Sequence, residues 1–454
     1  MKPNGGRRSA SERKLDQGCR LVKLCPETLT STFEWSRFER TPRLESRNWP
    51  ADPSVPGPRR ERQSLRYTAY VPDRIAQLDL RLSAAVAAVV SAAERVVDSL
   101  NRAPPVLPSL EVLARRLLRA ESVASSRIEG LELSQRRLAE AETAGEGGRD
   151  ETARSVLGNV AAMEEAVRLG HLAKPLRIAD VLAIHRVLML ATTTPDIAGK
   201  LRDRQNWIGG NRFNPGQADF VPPPPEYVPD LMKDLAGFLN RSDMPALVQA
   251  AIAHAQFETI HPFADGNGRV GRALIHVVLR RRELAPQFVP PVSLVLAGDS
   301  RAYIAGLTAY RDGRIEDWCL AFARAAERAA AKASELGSRL ASLQGAWRER
   351  AGRPRRHSSA EALIQLLPAH PIITLRSAAE ILHRSRQAAN EAIALLAQAG
   401  VLRATTIARR NRAWEAREVF DLVDAMEREL ATPADAIAPR RSAPRGRGAR
   451  SGTK

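Results

Sequence analysis

The stretch HPFADGNGRVGR, from His261 to Arg272, constrains the fold of this chain more than any other segment. The residues before it, Ala246 to Thr259, are rich in alanine and contain neither glycine nor proline, which predicts a helix. The partly apolar residues from Arg269 to Arg282 predict a second helix. We therefore expect a helix–loop–helix corner whose glycine turn leads into a helix N-terminus, where unpaired N–H groups attract anions.

The residue types of this stretch suit the chemistry of phosphates. Histidine can accept a proton near neutral pH, and a carboxylate can hold Mg²⁺ against phosphate oxygens. Glycine lets backbone N–H groups approach an anion, and arginine offers a permanently charged fork. Gly266, Gly268 and Gly271 also match the G-x-G-x-x-G pattern of dinucleotide-binding folds. That pattern requires a preceding strand, whereas a helix is predicted here, so a dinucleotide fold is disfavoured.

The same stretch resembles the Fic family, because it matches the signature HxFx[DE]GNGRxxR at every defined position. Fic domains are α-helical and transfer AMP from ATP–Mg²⁺ to a hydroxyl side chain of a target protein. The resemblance implies that His261 is the general base and that Asp265 holds the Mg²⁺. It implies nucleotide-binding roles for Gly266, Asn267, Gly268, Arg269, Val270, Gly271 and Arg272. Gly268, where phosphate-transferring relatives carry lysine, favours AMP transfer over phosphorylation.

Within that set, the resemblance divides the phosphates between two groups of residues. Asn267, with the backbone of Gly266 and Gly268, would cradle the α- and β-phosphates, and Arg269 and Arg272 would bind the outer phosphates. Tyr303 lies in a segment that resembles the next helix of the family, and it is a candidate for contact with the adenine. An ordinary packed core tyrosine is an equally good interpretation of that residue.

A second pattern of the family lies upstream, in SSRIEG at the end of a predicted helix. It fits the inhibitory motif [ST]xxxE[GN], with Ser125, Glu129 and Gly130 at the defined positions. The resemblance implies that Glu129 forms a bidentate ion pair with Arg272 and keeps that arginine from the γ-phosphate. The alternative is an ordinary surface glutamate ahead of a helix-capping glycine.

The segment QNWIGGNRFNPGQADFVPPPPEYV differs from the helical sequence around it. Its alternating apolar residues, with Asn-Pro-Gly in the middle, predict a short β-hairpin. This hairpin resembles the flap of Fic proteins, which binds a segment of the target by strand addition. The flap residues would be Trp207, Ile208, Phe220 and Val221. The alternative is a surface hairpin that only covers the core.

The C-terminal part of the chain predicts three short helices, a basic hairpin and a closing helix. This order is similar to the winged helix-turn-helix of many Fic proteins. The DNA-binding candidates are Arg384, Arg386, Gln387 and Asn390 on the recognition helix and Arg409, Arg410 and Arg412 on the wing. A winged helix that serves dimerisation or protein contact is an equal alternative.

These patterns divide the chain into modules, and the predicted fold class is mainly α. The core is an all-helical Fic domain with a β-hairpin flap, between a helical N-terminal module and a C-terminal winged helix. In order, the modules are a disordered basic extension (1–65), the helical module with the inhibitory motif (66–150), the Fic core (151–335), the winged helix (357–430) and a disordered basic tail (431–454).

Composition limits the location and the partners of the protein. A net charge of +18 would suit nucleic acid, but the abundance of alanine and arginine favours arginine spread over solvated faces, so the charge is weak evidence for such a partner. Cys19, Cys25 and Cys319 form no C-x-x-C pair, which fits a reducing compartment and offers no zinc site. Neither a membrane-spanning run nor a signal peptide is visible, so we expect a cytoplasmic protein without a membrane partner.

Together these features favour a self-inhibited protein adenylyltransferase that uses ATP and Mg²⁺. Its acceptor would be a serine, threonine or tyrosine of a target protein or of the chain itself. Two alternatives stay open: an ATP-sensing DNA-binding transcriptional regulator, and a hydrolase that removes AMP with the same site. Fic proteins with this layout often form homodimers, which the resemblance also implies here. The sequence does not identify the target protein.

Overall fold

The computed structural model describes residues 43–54, 58–102, 110–145, 150–407 and 411–431. Over these ranges most of the chain is helical and the strands are short, so the predicted mainly α fold class is confirmed. The helices of the N-terminal and central parts are α1 Ala84–Arg102, α2 Leu110–Ile128, α3 Gln135–Ala144, α4 Glu151–Gly170, α5 Ile178–Leu190, α6 Val228–Leu239, α7 Ala246–Ile260, α8 Asn267–Arg281, α9 Val292–Gly298, α10 Ser300–Arg311 and α11 Ile315–Arg350. None of the described helices is long and apolar enough to cross a membrane.

Helix α7, which leads into His261, is buried on all sides. Every residue of α7 is buried except Glu258, which is partly buried. Its many alanines are small, so that α8, α11 and α6 can all pack closely against it. Trp318 of α11 donates its indole N–H to the carbonyl of Ala251 at 2.7 Å. A helix that is enclosed in this way cannot shift without opening the core, and it gives the motif a rigid support.

An antiparallel hairpin precedes the helices. Strand β1, Arg43–Trp49, pairs along its whole length with β2, Leu65–Val71. The predicted disordered extension is therefore wrong for its last part, whereas residues 1–42 lie outside the described ranges. Strand β1 was missed because two of its half-buried positions are the charged residues Glu45 and Arg47, which hide the usual apolar alternation of a strand.

The C-terminal part contains short helices around a small sheet. Its elements are α12 Ser359–Leu366, β3 Ile372–Ile373, α13 Leu375–Leu382, α14 Arg386–Gln398, β4 Arg403–Ile407, β5 Asn411–Glu415 and α15 Arg417–Ala431, and the antiparallel strands lie in the order β3-β5-β4. Arg384, Arg386, Gln387 and Asn390 are exposed around the start of α14, Arg412 lies over the ring of Trp414, and Arg409 and Arg410 fall outside the described ranges. The winged-helix assignment and its DNA contacts remain predictions.

This C-terminal part is tied to the helices that carry the inhibitory motif. One oxygen of Glu427 in α15 accepts from Arg127 at 2.9 Å, and the other accepts from Gln135 at 2.8 Å. Arg136 binds Glu415 of β5, also at 2.8 Å. The end of α2 and the start of α3 are therefore both held by side chains of the C-terminal part.

Candidate active site

The loop between α7 and α8 begins and ends at residues with a left-handed backbone. His261 has φ 48° and Gly266 has φ 78°. Glycine adopts this conformation freely, but histidine does so rarely and must be held by its surroundings. The N–H of His261 donates to the carbonyl of Phe257 at 2.8 Å. Asn267 closes the loop, because its side chain accepts from the N–H of Phe263 and donates to the carbonyl of the same residue, both at 2.8 Å.

Several motif residues predicted to bind nucleotide are committed to packing in this structure. Both polar atoms of Asn267 are used within the loop, so its side chain is not directed at a phosphate here. Val270 and Gly271 are buried in the contact of α8 with α7. A Cβ atom at Gly268 would collide with the carboxylate of Glu129. Glycine is therefore the residue that gives Glu129 room beside the N-terminus of α8.

His261 is held by two side chains from the segment before the flap. Nε of Arg202 donates to the carbonyl of His261 at 2.9 Å, and Nδ2 of Asn206 lies 2.9 Å from ring atom Nδ1. Burial, and then the positive charge of Arg202, lowers the pKa of His261 to about 4. The imidazole is therefore neutral at physiological pH, as a general base must be.

Arg202 joins the flap to the motif through backbone carbonyls. Besides His261, its guanidinium donates to the carbonyl of Pro223 at 2.5 Å and to that of Arg204 at 3.1 Å. Its own N–H donates to the carbonyl of Pro262 at 3.0 Å. Burial lowers the pKa of Arg202 to about 10, so the side chain still carries its charge at neutral pH.

Asp265, Arg269 and Glu129 line a cavity of about 320 Å³. The Asp265 side chain is 62% exposed, and one of its oxygens lies 3.7 Å from Arg269. Arg269 is buried and donates to the hydroxyl of Ser155 at 3.0 Å. The described residues contain no group of three or more His, Cys, Asp or Glu side chains that could hold a metal ion. One exposed carboxylate nevertheless suits Mg²⁺, which commonly takes one or two protein carboxylates together with phosphates and water.

The structure brings Glu129 and Arg272 together, as the family resemblance implied. Oε1 of Glu129 accepts from Nη2 of Arg272 at 2.8 Å. The expected bidentate geometry is wrong, because Arg272 also binds Ser125. Nε of Arg272 donates to the hydroxyl of Ser125 at 2.9 Å, and Nη2 donates to the carbonyl of Ser125 at 2.7 Å. Burial opposes ionisation of Glu129, but the charge of Arg272 keeps the pKa of the carboxyl below its ordinary value. Gly130 follows with φ 77°, the left-handed position at which α2 was predicted to end.

The flap is a hairpin closed by a single bridge between Ile208 and Phe220. The N–H of Ile208 donates to the carbonyl of Phe220 at 2.9 Å, and the carbonyl of Ile208 accepts from the N–H of Phe220 at 3.2 Å. The carbonyl of Val221 accepts from the N–H of Tyr70 at 2.9 Å, so β2 lies along one edge of the flap. The Trp207 side chain packs edge-on against Trp49 of β1, with ring centroids 5.3 Å apart. The β1–β2 hairpin, which the sequence did not predict, thus packs against the flap, which it did predict.

Tyr303 is buried beside the motif. Its side chain is only 6% exposed, and its hydroxyl lies 2.8 Å from Nε2 of His254. Its ring also packs against Trp318. These contacts match the interpretation as a packed core tyrosine, and the adenine contact stays a prediction. Nearby, burial raises the pKa of Glu258 to about 7.

His185 is a site residue that sequence reasoning missed. Its ring stacks on that of Phe263 with centroids 3.7 Å apart. Gly199 donates its N–H to Nδ1 at 3.0 Å, which leaves the proton on Nε2 to bind the carbonyl of Asp265 at 3.1 Å. Burial lowers the pKa of His185 to about 4, so the ring is a neutral support for the loop. A histidine within an apolar helix carried no sequence signal for this role.

Comparison with known proteins agrees with this arrangement. Residues 175–279 match the model of the Fic/DOC family, and residues 87–168 match that of the Fic/DOC family N-terminal region. The chain therefore contains a Fic/DOC domain. Residues 175–279 contain α5, α6, α7 and most of α8. Residues 87–168 contain α2, α3 and the inhibitory motif, together with most of α1 and α4.

Relatives of this chain match it over limited regions. Protein adenylyltransferase fic-1 of Caenorhabditis briggsae is 35% identical over 116 residues, which are 25% of this chain and 21% of that protein. Probable protein adenylyltransferase aq_aa38 of Aquifex aeolicus is 46% identical over 63 residues, 14% of this chain and 20% of that protein. The matches thus span about a fifth of each relative. A crystal structure of a Fic family protein from Desulfovibrio desulfuricans is 22% identical and covers 75% of this chain and 98% of its own, with a TM-score of 0.46.

Proposed function

We propose that this protein transfers AMP from ATP to a hydroxyl side chain of a protein, and that Glu129 keeps it in a self-inhibited state. The observation that carries the proposal is the contact between Glu129 and the buried Arg272, beside the neutral base His261. The names of the relatives, protein adenylyltransferases, support the same reaction. Arg272 cannot hold a phosphate and the carboxylate at once, so productive binding of ATP requires Glu129 to leave.

The reaction follows from the charges around the N-terminus of α8. Arg269, Arg272 and the unpaired N–H groups of the helix would hold the phosphates. His261 takes the proton of the acceptor hydroxyl while the oxygen bonds to the α-phosphorus. The bond from the α-phosphorus to the bridging oxygen breaks, and pyrophosphate leaves. Asp265 would hold Mg²⁺, which neutralises phosphate charge when it is bound.

The flap leaves one edge for the target segment. β2 already lies against Val221, whereas the backbone N–H and C=O of Trp207 make no hydrogen bond to the residues that the structure describes. We expect an extended segment of the target to add along Trp207. Since Asn206 precedes Trp207 and touches His261, a hydroxyl on that segment comes close to the base. A serine, threonine or tyrosine can provide it.

The test compares auto-modification by the full chain and its variants, with labelled ATP and Mg²⁺. We expect Glu129→Gly to raise transfer of AMP, because Arg272 becomes available to the phosphates. Addition of His261→Ala to that variant should abolish the transfer. Glu132→Gly is a matched control, since that glutamate lies exposed just beyond the motif. The proposal fails if Glu129→Gly transfers no nucleotide to any protein, itself included.

The opposite reaction gives the opposite sign in the same experiment. If the site removed AMP, Glu129 would position the attacking water, and Glu129→Gly would lose activity on an AMP-modified protein. A gain of transfer together with no loss of removal therefore supports the adenylyltransferase. Mass spectrometry of a lysate treated with the Glu129→Gly variant would then identify the modified side chains.

A further inference from the structure

The side chain of Asn206 makes the direct contact between the flap segment and the base. Its Nδ2 lies 2.9 Å from Nδ1 of His261, 3.0 Å from the carbonyl oxygen of Phe263 and 3.4 Å from that of His261. Asn206 immediately precedes Trp207, which carries the edge of the flap left open for a target. A change at that edge therefore reaches the base through one residue.

The neighbours of Asn206 determine which way its amide points. The carbonyl of Phe263 can only accept a hydrogen bond, so the NH₂ group must face it. The same nitrogen then donates its second hydrogen to Nδ1 of His261. The amide oxygen, Oδ1 of Asn206, is buried and has no hydrogen-bond partner among the described residues. Turning the amide over would satisfy that oxygen but set it against the carbonyl of Phe263.

This orientation fixes the proton of the base. A neutral imidazole has one nitrogen with a lone pair and one with a proton. Because Nδ1 of His261 accepts from Asn206, the proton lies on Nε2. A general base that works through Nε2 needs the other tautomer, with the proton on Nδ1. The neutral ring in this structure is therefore in the form that cannot accept the proton of a substrate hydroxyl through Nε2.

We propose that Asn206 is a positioning residue that holds His261 in this unproductive tautomer until a target strand binds the flap. The proposal rests on the proposed function, in which His261 is the base. A strand that pairs with Trp207 must alter the backbone next to Asn206, and Oδ1 can then turn to Nδ1. The Nε2 proton leaves to water, and water supplies a proton to Nδ1. The buried and unpartnered Oδ1 thereby gains a donor.

Two substitutions in the Glu129→Gly background test this role. Asn206→Leu has similar size but makes no hydrogen bond, and Asn206→Asp can only accept one from Nδ1–H. We expect both to raise target-independent cleavage of ATP to AMP and pyrophosphate about tenfold, as the loss of one hydrogen bond allows. Asn206→Asp should also move the acid limb of the pH–rate profile to higher pH, because a carboxylate favours the charged ring. Asn48→Leu on the exposed face of β1 is the matched control.

A second measurement reads the tautomer without any reaction. Long-range ¹H–¹⁵N NMR of the full chain labelled at histidine distinguishes the two tautomers, and the signal missing from His261→Ala identifies the residue. We expect the proton on Nε2 in the parent and on Nδ1 in Asn206→Asp. The proposal is overturned if the NMR signal of His261 in the parent shows the proton on Nδ1. It is also overturned if the two Asn206 variants cleave ATP more slowly than the Glu129→Gly background and their pH–rate profiles are unchanged. If the NMR result is as expected but no variant cleaves ATP, the proposed function fails while the contact between Asn206 and the ring stands.

Discussion

The ion pair of Glu129 with Arg272 makes the stability of the resting protein depend on the inhibitory motif. The Arg272 side chain is 1% exposed, while that of Glu129 is 37% exposed. A buried hydrogen bond between charged groups contributes about 1.5–3 kcal/mol, and the exposed side of Glu129 reduces this to about 1–2 kcal/mol. We therefore expect Glu129→Ala to lower the free energy of unfolding by about 1–2 kcal/mol in the absence of nucleotide.

ATP should reverse that loss, because the γ-phosphate takes the place of the carboxylate on Arg272. A ligand at a hundred times its Kd stabilises the folded state by about 2.7 kcal/mol. Glu129→Ala with ATP and Mg²⁺ should thus become at least as stable as the parent, and its gain from ATP should exceed the gain of the parent. Alanine is used because glycine would add backbone freedom to the unfolded chain.

Urea titrations of the parent and the variant, with and without ATP–Mg²⁺, measure all four values. Glu132→Ala serves as the control and should behave like the parent in both conditions. The reasoning is refuted if Glu129→Ala is as stable as the parent without nucleotide. It is refuted equally if ATP stabilises the two proteins by the same amount.

Three further predictions concern the supporting residues. Burial lowers the pKa of His185 to about 4 and that of His254 to about 3. Below pH 6.5 the unfolded chain therefore binds more protons than the folded chain, and the midpoint of urea unfolding should fall as the pH drops from 6.5 toward 4. The pKa of His261, about 4, places the acid limb of AMP transfer by Glu129→Gly well below pH 6, and a limb near 6.5 would contradict this. Ser155→Ala removes the hydrogen bond that orients Arg269, and it should raise the KM for ATP about threefold to tenfold with little change in kcat.

Local sequence patterns predicted the motif well because they act over short distances. The alanine-rich run of α7 and the glycine turn after His261 each determine structure within a few residues. The pairing of Glu129 with Arg272 was predicted through the family resemblance alone. No local sequence pattern predicts that Glu129 and Arg272 lie close together, because their distance depends on how α2 packs beside α8.

The residues that hold the base could not be found in the same way. Arg202, Asn206 and His185 act on the loop from segments far from it in sequence, and each uses backbone carbonyls or a ring atom as its partner. A lone arginine or asparagine in a loop looks like an ordinary solvated side chain. Strand β1 was missed for a related reason, since two of its three half-buried positions are charged and one of them, Arg47, pairs with the distant Glu226.

The carboxylate of Glu427 has a consequence for the whole chain. It binds Arg127, two residues before Glu129, and Gln135 beyond it. If the departure of Glu129 from Arg272 breaks these contacts of Glu427, the free energy of those contacts opposes the productive binding of ATP. Suppose that a molecule binds the C-terminal part more tightly once Glu427 is released. That molecule must then increase the affinity for ATP in the productive pose, and ATP must increase the affinity for that molecule by the same factor.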